Sequence, residues 1–104
     1  VEYDAMMADL AWHADYLKQL SDQKIPVLWR PLHEIDGGWF WWTCAKDAKI
    51  TAEPWKITFN YLVNTRGFHN MLWVYSAGIE TANPTSSTID QASVNWCKTY
   101  YPGA

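Results

Sequence analysis

Long apolar runs are missing from this sequence: no stretch approaches the roughly 18 residues that a membrane span requires, so no membrane-crossing helix is predicted. Cations are scarce as well. Eight Lys and Arg stand against eleven Asp and Glu, for a formal net charge of -3. No basic stripe occurs, which removes the electrostatic footprint of nucleic-acid binding. Cysteine is limited to Cys44 and Cys97. They either bridge in an oxidising compartment or remain buried thiols, the second being preferred. Neither has a metal-ligand spacing with a histidine, which speaks against a zinc site. The opening Val1-Glu2-Tyr3-Asp4 lacks the charge and apolar layout of a signal peptide, and this leaves secretion open. There is no internal repeat and no low-complexity segment.

What is abundant is tryptophan, eight in 104 residues. A chain of this length fits one domain or a piece of a larger one, and its 49% apolar content supplies a core. Tryptophan is costly as filler, because a buried indole N–H needs a partner. Two readings of the excess carry equal weight: an aromatic-rich core, and aromatic surfaces that grip the apolar C–H faces of sugar rings.

Periodicity predicts a helix over Tyr3–Leu20, with Met6, Leu10, His13, Leu17 and Leu20 on one face, so His13 is expected as a hydrogen-bonded core histidine. After the polar Ser21–Lys24, residues Ile25–Leu32 predict a strand without clean alternation, as in a parallel strand covered on both faces. Its two prolines, Pro26 and Pro31, stand near the ends. A loop, His33–Trp42, holds Gly37-Gly38 and four aromatics. Thr51-Ala52-Glu53-Pro54 combines a capping residue, an acidic first turn and an early proline, and opens a second predicted helix. Trp55, Phe59, Leu62 and Val63 form its buried face, and Gly67 closes it. Met71–Tyr75 is a second apolar strand. Thr88 and Gln91 fit a capping box for a third helix that ends at Tyr100–Gly103.

The order helix, strand, helix, strand, helix argues for βαβ units and a parallel sheet. Two strands close nothing, and a parallel pair with bare edges is a poor stand-alone domain. The economical explanation is an excerpt from a larger α/β protein. A (β/α)₈ barrel builds its site at the C-terminal ends of its strands, and both loops that follow strands here are long, polar and aromatic.

The chemically informative stretch is Trp29-Arg30-Pro31-Leu32-His33-Glu34-Ile35-Asp36-Gly37-Gly38-Trp39-Phe40-Trp41-Trp42. It sets a carboxylate at the end of a strand, beside a histidine, ahead of a glycine turn that folds aromatics back over it. Glycosidic hydrolysis needs one carboxyl to protonate the leaving oxygen and a second to attack or to activate water. The donor must be protonated at working pH, and burial against indole rings favours that form. Glu34 has this setting. His33 is placed to contact a sugar hydroxyl or to orient the glutamate. Regular alternation would put Arg30 on the same side as Glu34, an inference that a bulge breaks. The alternative is a structural Arg30–Glu34 ion pair beneath an aromatic lid. Glu80, after the second strand, is the best internal candidate for a second carboxylate, although a surface or subsite role suits it better. Tyr75 is either a cleft residue or a core residue.

This segment resembles the acid/base motif of glycoside hydrolase family 26, the β-mannanase family of the retaining (β/α)₈ clan, which reads approximately R-P-x-H-E-x-x-G-x-W-F-W-W. Arg30, Pro31, His33, Glu34, Gly37, Trp39, Phe40, Trp41 and Trp42 match it. Asn70-Met71-Leu72-Trp73-Val74-Tyr75-Ser76 is similar to the family's fifth strand, and Tyr100-Tyr101-Pro102-Gly103 to the lead into the sixth. Asp36 stands where asparagine is frequent, and Thr43 where glycine is. The resemblance implies an α/β fold, a fragment of a (β/α)₈ barrel running helix 3, strand 4, helix 4, strand 5, helix 5, with residues 1–104 as part of the catalytic domain. It implies Glu34 as general acid/base and His33 as its companion. Substrate contacts would come from Trp39 and Phe40, with Arg30 and Tyr75 beside them. The nucleophile, a glutamate after the seventh strand, lies beyond this chain, and Glu80 is not a position the family uses for it. No cofactor or metal is implied. The implied partner is β-mannan or a related polysaccharide, hydrolysed by a monomeric, extracellular or periplasmic enzyme. Alternatives are another β-glycanase of the family, acting on mixed-linkage β-glucan or β-1,3-xylan, and a non-catalytic carbohydrate-binding module.

Overall fold

The computed structural model describes residues 2–44, 47–76, 91–101 and 103. The chain runs α1 (Glu2–Asp22), β1 (Val27–Trp29), α2 (Ala48–Phe59), a π-helical continuation (Asn60–Thr65), β2 (Met71–Trp73) and α3 (Gln91–Tyr100). It divides into two compact units, one made of Val1–Trp29 with Ile57–Val74, the other of Arg30–Lys56 with Tyr75–Ala104.

In the first unit β1 and β2 pair in parallel, with Val27 opposite Met71, Leu28 opposite Leu72 and Trp29 opposite Trp73. The ladder continues at both ends, where Val27 N–H donates to the Asn70 carbonyl and Val74 N–H to that of Trp29, each at 2.8 Å. The Asn70 side chain closes the lower end by donating to the Ile25 carbonyl at 2.7 Å. Ala14 and Leu17 of α1, Leu62 of the π-helical turn and Phe68 form the buried core, against which Val27, Trp29, Met71 and Trp73 pack. Leu28 and Leu72 between them are 73% and 64% exposed. The pair therefore alternates cleanly between a covered and an open face, where sequence reading expected cover on both. Covering the second face requires chain beyond these two strands.

Both strands are shorter than Ile25–Leu32 and Met71–Tyr75. Pro26 supplies no N–H for the ladder, and past Trp29 the backbone leaves the extended region, with Leu32 at φ 51°. The first helix forms where its periodicity placed it, but its buried stripe runs through Ala14 and Leu17. His13 is exposed, contrary to its expected core position, and its Nδ1 donates to the Asp9 carbonyl one turn back at 2.8 Å. Its neighbour Ala14 takes the buried place on that turn.

The second helix starts three residues earlier than its expected cap. Asp47 caps it, its Oδ1 accepting from Lys49 N–H at 2.9 Å, which leaves Pro54 inside the helix. Thr51 is a buried residue whose hydroxyl accepts from Cys44 N–H at 2.9 Å. Glu53 therefore lies beyond the first turn, paired with Lys56 at 3.5 Å on the surface. Gly67 ends the helical run as expected, at φ 72°, with Phe68 N–H returning to the Leu62 carbonyl at 3.0 Å. Arg66 ties this corner to α1 through Asp15 at 2.7 Å. The third helix ends at Tyr100, while Thr88, its expected cap, lies outside the described residues. Both cysteines are free thiols, Cys44 half-buried and Cys97 exposed, so the expectation of two buried thiols fails for Cys97.

The open leucine face yields a prediction. As an isolated 104-residue chain this protein self-associates, and Leu28→Lys with Leu72→Lys shifts it toward monomer in sedimentation velocity. A sharp, reversible melting transition of a monomeric parent chain would contradict this reading of the strand pair.

Candidate active site

The second unit carries the residues singled out for chemistry. Between Arg30 and Trp42 the chain makes two tight reversals. Leu32 and Glu34 both adopt left-handed backbone conformations, φ 51° and 52°. This is uncommon for side chains with a Cβ and costs on the order of 1–3 kcal/mol each. The surrounding bonds hold the conformation. Gly37 N–H donates to the Glu34 carbonyl at 3.0 Å, and Ile35 N–H reaches the Ser76 carbonyl at 3.3 Å. Ile35 and Asp36, at the turn's centre, are buried and anchor it.

The turn returns Trp39 to Glu34. Indole Nε1–H donates to Glu34 Oε2 at 3.2 Å. Gly37 permits this approach, because a Cβ there would overlap the six-membered ring of Trp39. The second reversal is pinned by Thr43, whose hydroxyl donates to the Phe40 carbonyl at 2.8 Å and accepts from Phe40 N–H at 3.2 Å. Phe40 and Trp42 then stack at 4.4 Å and 10°. The His33 ring packs against Phe40 at 4.9 Å and Trp42 at 5.8 Å. Trp42 Nε1–H locks the assembly by donating to the His33 carbonyl at 3.0 Å. Trp39 and Trp41 remain exposed, while Glu34 and His33 are half-buried.

Of the residues chosen from sequence, Glu34, His33, Trp39 and Phe40 are brought together. Arg30 is exposed, and among the described residues no ion pair joins it to Glu34. The conditional alternation that grouped Arg30 with Glu34 does not hold, because the strand ends at Trp29 and left-handed residues follow. Tyr75 lies edge-on to Trp55 at 5.5 Å and to Tyr101 at 5.9 Å. Its hydroxyl is buried without a hydrogen-bond partner among the described residues. Burial above all, then the charge of Asp36 with Cys97 and Tyr100, holds the Tyr75 phenol far above its usual range. Tyr100 is raised in the same sense by burial, Asp36 and Cys44. Glu80 lies outside the described residues. No three His, Cys, Asp or Glu gather as metal ligands among the described residues.

Sequence reasoning passed over Trp42, Thr43 and Asp36 as contributors to the site. Trp42 was visible as a motif match within a run of aromatics, and its bond to the His33 carbonyl has no sequence signature. Asp36 carried a weak signal, an acid set among residues that close a turn.

Residues 1–104 match the family model Glycosyl hydrolase family 26. The chain is 38% identical over 93 residues to a mannan endo-1,4-beta-mannosidase of Thermothelomyces thermophilus, covering 89% of this chain and 19% of that protein. It is 43% identical over 83 residues to one of Bacillus subtilis, covering 73% of this chain and 23% of that one. Among solved structures, the beta-mannanase from a symbiotic protist of the termite Reticulitermes speratus, complexed with gluco-manno-oligosaccharide, superposes with TM-score 0.76 at 40% identity, over 99% of this chain and 27% of that one. Bacillus subtilis mannanase BCman gives TM-score 0.78 at 31% identity, over 99% and 29%. The chain thus spans about a fifth of the length of these curated relatives.

The glycine contact is directly testable. Gly37→Ala drives the Trp39 ring off Glu34, at a stability cost of about 1–3 kcal/mol for overpacking. The Trp39 indole N–H resonance then moves in a ¹H–¹⁵N spectrum of the full-length protein, as it does in Glu34→Gln. A resonance unmoved by both substitutions would show that the indole does not bind the carboxylate.

Proposed function

Since the chain belongs to glycosyl hydrolase family 26, we propose that it supplies the acid/base segment of a retaining endo-β-1,4-mannanase. Residues 1–104 are read as helix 3 to helix 5 of a (β/α)₈ catalytic domain, with β1 and β2 as its fourth and fifth strands. The observation that carries this reading is the Glu34 carboxyl, fixed on a left-handed turn, hydrogen-bonded by Trp39 and set next to the His33–Phe40–Trp42 wall.

In the first half-reaction a carboxylate beyond this chain attacks the anomeric carbon, and the C–O bond to the leaving sugar breaks. Glu34 gives its proton to the departing glycosidic oxygen. In the second half-reaction Glu34, now ionised, takes a proton from water as that water displaces the enzyme carboxylate, which restores both groups and retains anomeric configuration. The exposed Trp39 ring offers a flat face to a sugar while its N–H holds Glu34. The half-buried Phe40 closes the wall beside it. His33 sits within the same wall with its ring packed against Phe40 and Trp42, suited to a substrate hydroxyl. Arg30, at the exposed start of the segment, is assigned to the outer part of the cleft, and Tyr75 to the packed layer behind the turn. Neither a metal nor an organic cofactor enters this chemistry.

The substrate assignment follows the names of the relatives, which are mannan endo-1,4-beta-mannosidases. The partner is a neutral polysaccharide, and no described helix is long and apolar enough to cross a membrane. A monomeric enzyme acting outside the cytoplasm completes the reading.

The test is a reducing-end assay of the full-length protein on β-1,4-mannan, mixed-linkage β-glucan and β-1,3-xylan, with Glu34→Gln alongside. Mannan turnover should fall at least about 10²-fold in Glu34→Gln, the scale of a lost general acid/base, with mannan affinity retained. Equal turnover in both proteins would remove Glu34 from catalysis. Mannan binding with no turnover in either would make the protein a binding module.

A further inference from the structure

We propose that the outward face of α1 carries a second glycan-binding site, in which Trp12 and Tyr16 hold a neutral β-linked polysaccharide chain. The ligand class rests on the mannanase reading, whereas the site itself rests on α1.

A helix turns about 100° per residue. Trp12 therefore lies about 160° around α1 from Ala14 and about 140° from Leu17, and Tyr16 about 160° from Ala14. Ala14 and Leu17 are the residues α1 buries. Trp12 and Tyr16 are 58% and 57% exposed. Completing a (β/α)₈ barrel would leave this face outermost, because helices form its outer ring and cover the sheet with their inner faces. Among the described residues, neither ring packs on the buried core.

Their arrangement is ordered. Trp12 and Tyr16, one turn apart, meet at 4.8 Å between centroids with their planes at 61°, in edge contact with each other. The His13 ring stands edge-on to Trp12, at 4.9 Å and 85°. The His13 ring is fixed in turn by its bond to the Asp9 carbonyl. A carbonyl only accepts, so Nδ1 carries the hydrogen, and in the neutral ring Nε2 is left as an acceptor for a hydroxyl. Apolar ring faces beside hydrogen-bond acceptors match a pyranose, whose C–H faces are apolar and whose rim is hydroxylated.

Charge selects among ligands. Five carboxylates, Glu2, Asp4, Asp9, Asp15 and Asp22, stand on α1 with one lysine. That lysine, Lys18, is bound to Asp22 at 2.7 Å, and Arg66 to Asp15 at 2.7 Å, so two of the five are paired with cations and the face stays net acidic. Such a face repels nucleic acid and anionic lipid, and repels a second copy of itself. A neutral polyol pays no such cost and donates hydroxyls to the carboxylates.

The experiment measures depletion of the full-length protein onto insoluble β-1,4-mannan, in a Glu34→Gln background that suppresses turnover. Trp12→Ala with Tyr16→Ala should weaken binding about tenfold, the scale of losing two aromatic contacts. Tyr16→Phe, which keeps both rings, should bind as the parent does. In the active background, kcat/KM on short soluble manno-oligosaccharides should be unchanged by the double substitution. Unchanged depletion in the double variant overturns the site. Unchanged depletion with a lowered Tm would assign the face to packing against another segment and overturns it equally. Turnover of the soluble oligosaccharides tests the catalytic reading separately. Its absence, with ring-dependent mannan binding intact, would sink that reading and leave the surface site standing.

Discussion

Everything the proposed chemistry asks of this chain passes through the hydrogen bond from the Trp39 indole to Glu34 Oε2. A glutamate side chain has three rotatable bonds and, on an exposed loop, samples many rotamers, whereas acid/base catalysis needs one carboxyl oxygen held where a proton must go. The bond exists because the backbone reverses between Glu34 and Trp39, and the reversal exists because Glu34 accepts a left-handed conformation and Gly37 carries no Cβ. The strain of the left-handed residues is offset nearby. Ile35 and Asp36 are buried at the centre of the turn, Gly37 N–H closes it, and the Ser76 carbonyl ties it to the segment that follows β2. Left-handed residues held in place by their neighbours, as Leu32 and Glu34 are here, persist only where the surrounding structure over-determines them.

A second layer of constraint fixes the aromatics. The Thr43 hydroxyl both donates to and accepts from the Phe40 backbone, so the Phe40 backbone is held at both its N–H and its carbonyl. Trp42 is stacked on Phe40 and bonded to the His33 carbonyl, which gives its buried N–H a partner and satisfies a carbonyl outside any ladder. The family pattern frequently has glycine where Thr43 stands. Here the threonine supplies a side-chain lock that glycine lacks.

The organisation of the chain was largely legible in its sequence. The first helix follows from apolar residues at intervals of three and four, the end of the second from Gly67, and the glycine turn that folds aromatics over Glu34 from Gly37-Gly38 preceding Trp39. What failed did so for local reasons. His13 fits the apolar period, but histidine carries a polar ring that bonds to the preceding turn, and Ala14 packs in its place. Thr51 has the look of a cap, yet Asp47 caps earlier and frees the Thr51 hydroxyl for Cys44. The strands read as longer than they are because apolar composition continues past Trp29, while left-handed φ values are invisible to composition. Alternation was the wrong tool for placing Arg30 relative to Glu34 for the same reason.

The tryptophans divide the two readings that composition left equal. Trp29 and Trp73 pack on the core of the first unit, and Trp55 is buried against Tyr75. These are structural, and they account for part of the excess. Trp42 is half-buried and locks the loop. Trp12, Trp39 and Trp41 are exposed. Leaving an indole in water forfeits about 25 cal/mol for each Å² of apolar surface that burial would have removed, which is more than for any other side chain. Exposed Leu28 and Leu72 are explained by a sheet face that further strands would cover. Trp12 lies opposite the side of α1 that packs on the core, and Trp39 is held outward by a bond to a carboxyl. An aromatic-rich core therefore accounts for the buried indoles, and the exposed ones are those the proposed glycan contacts would use.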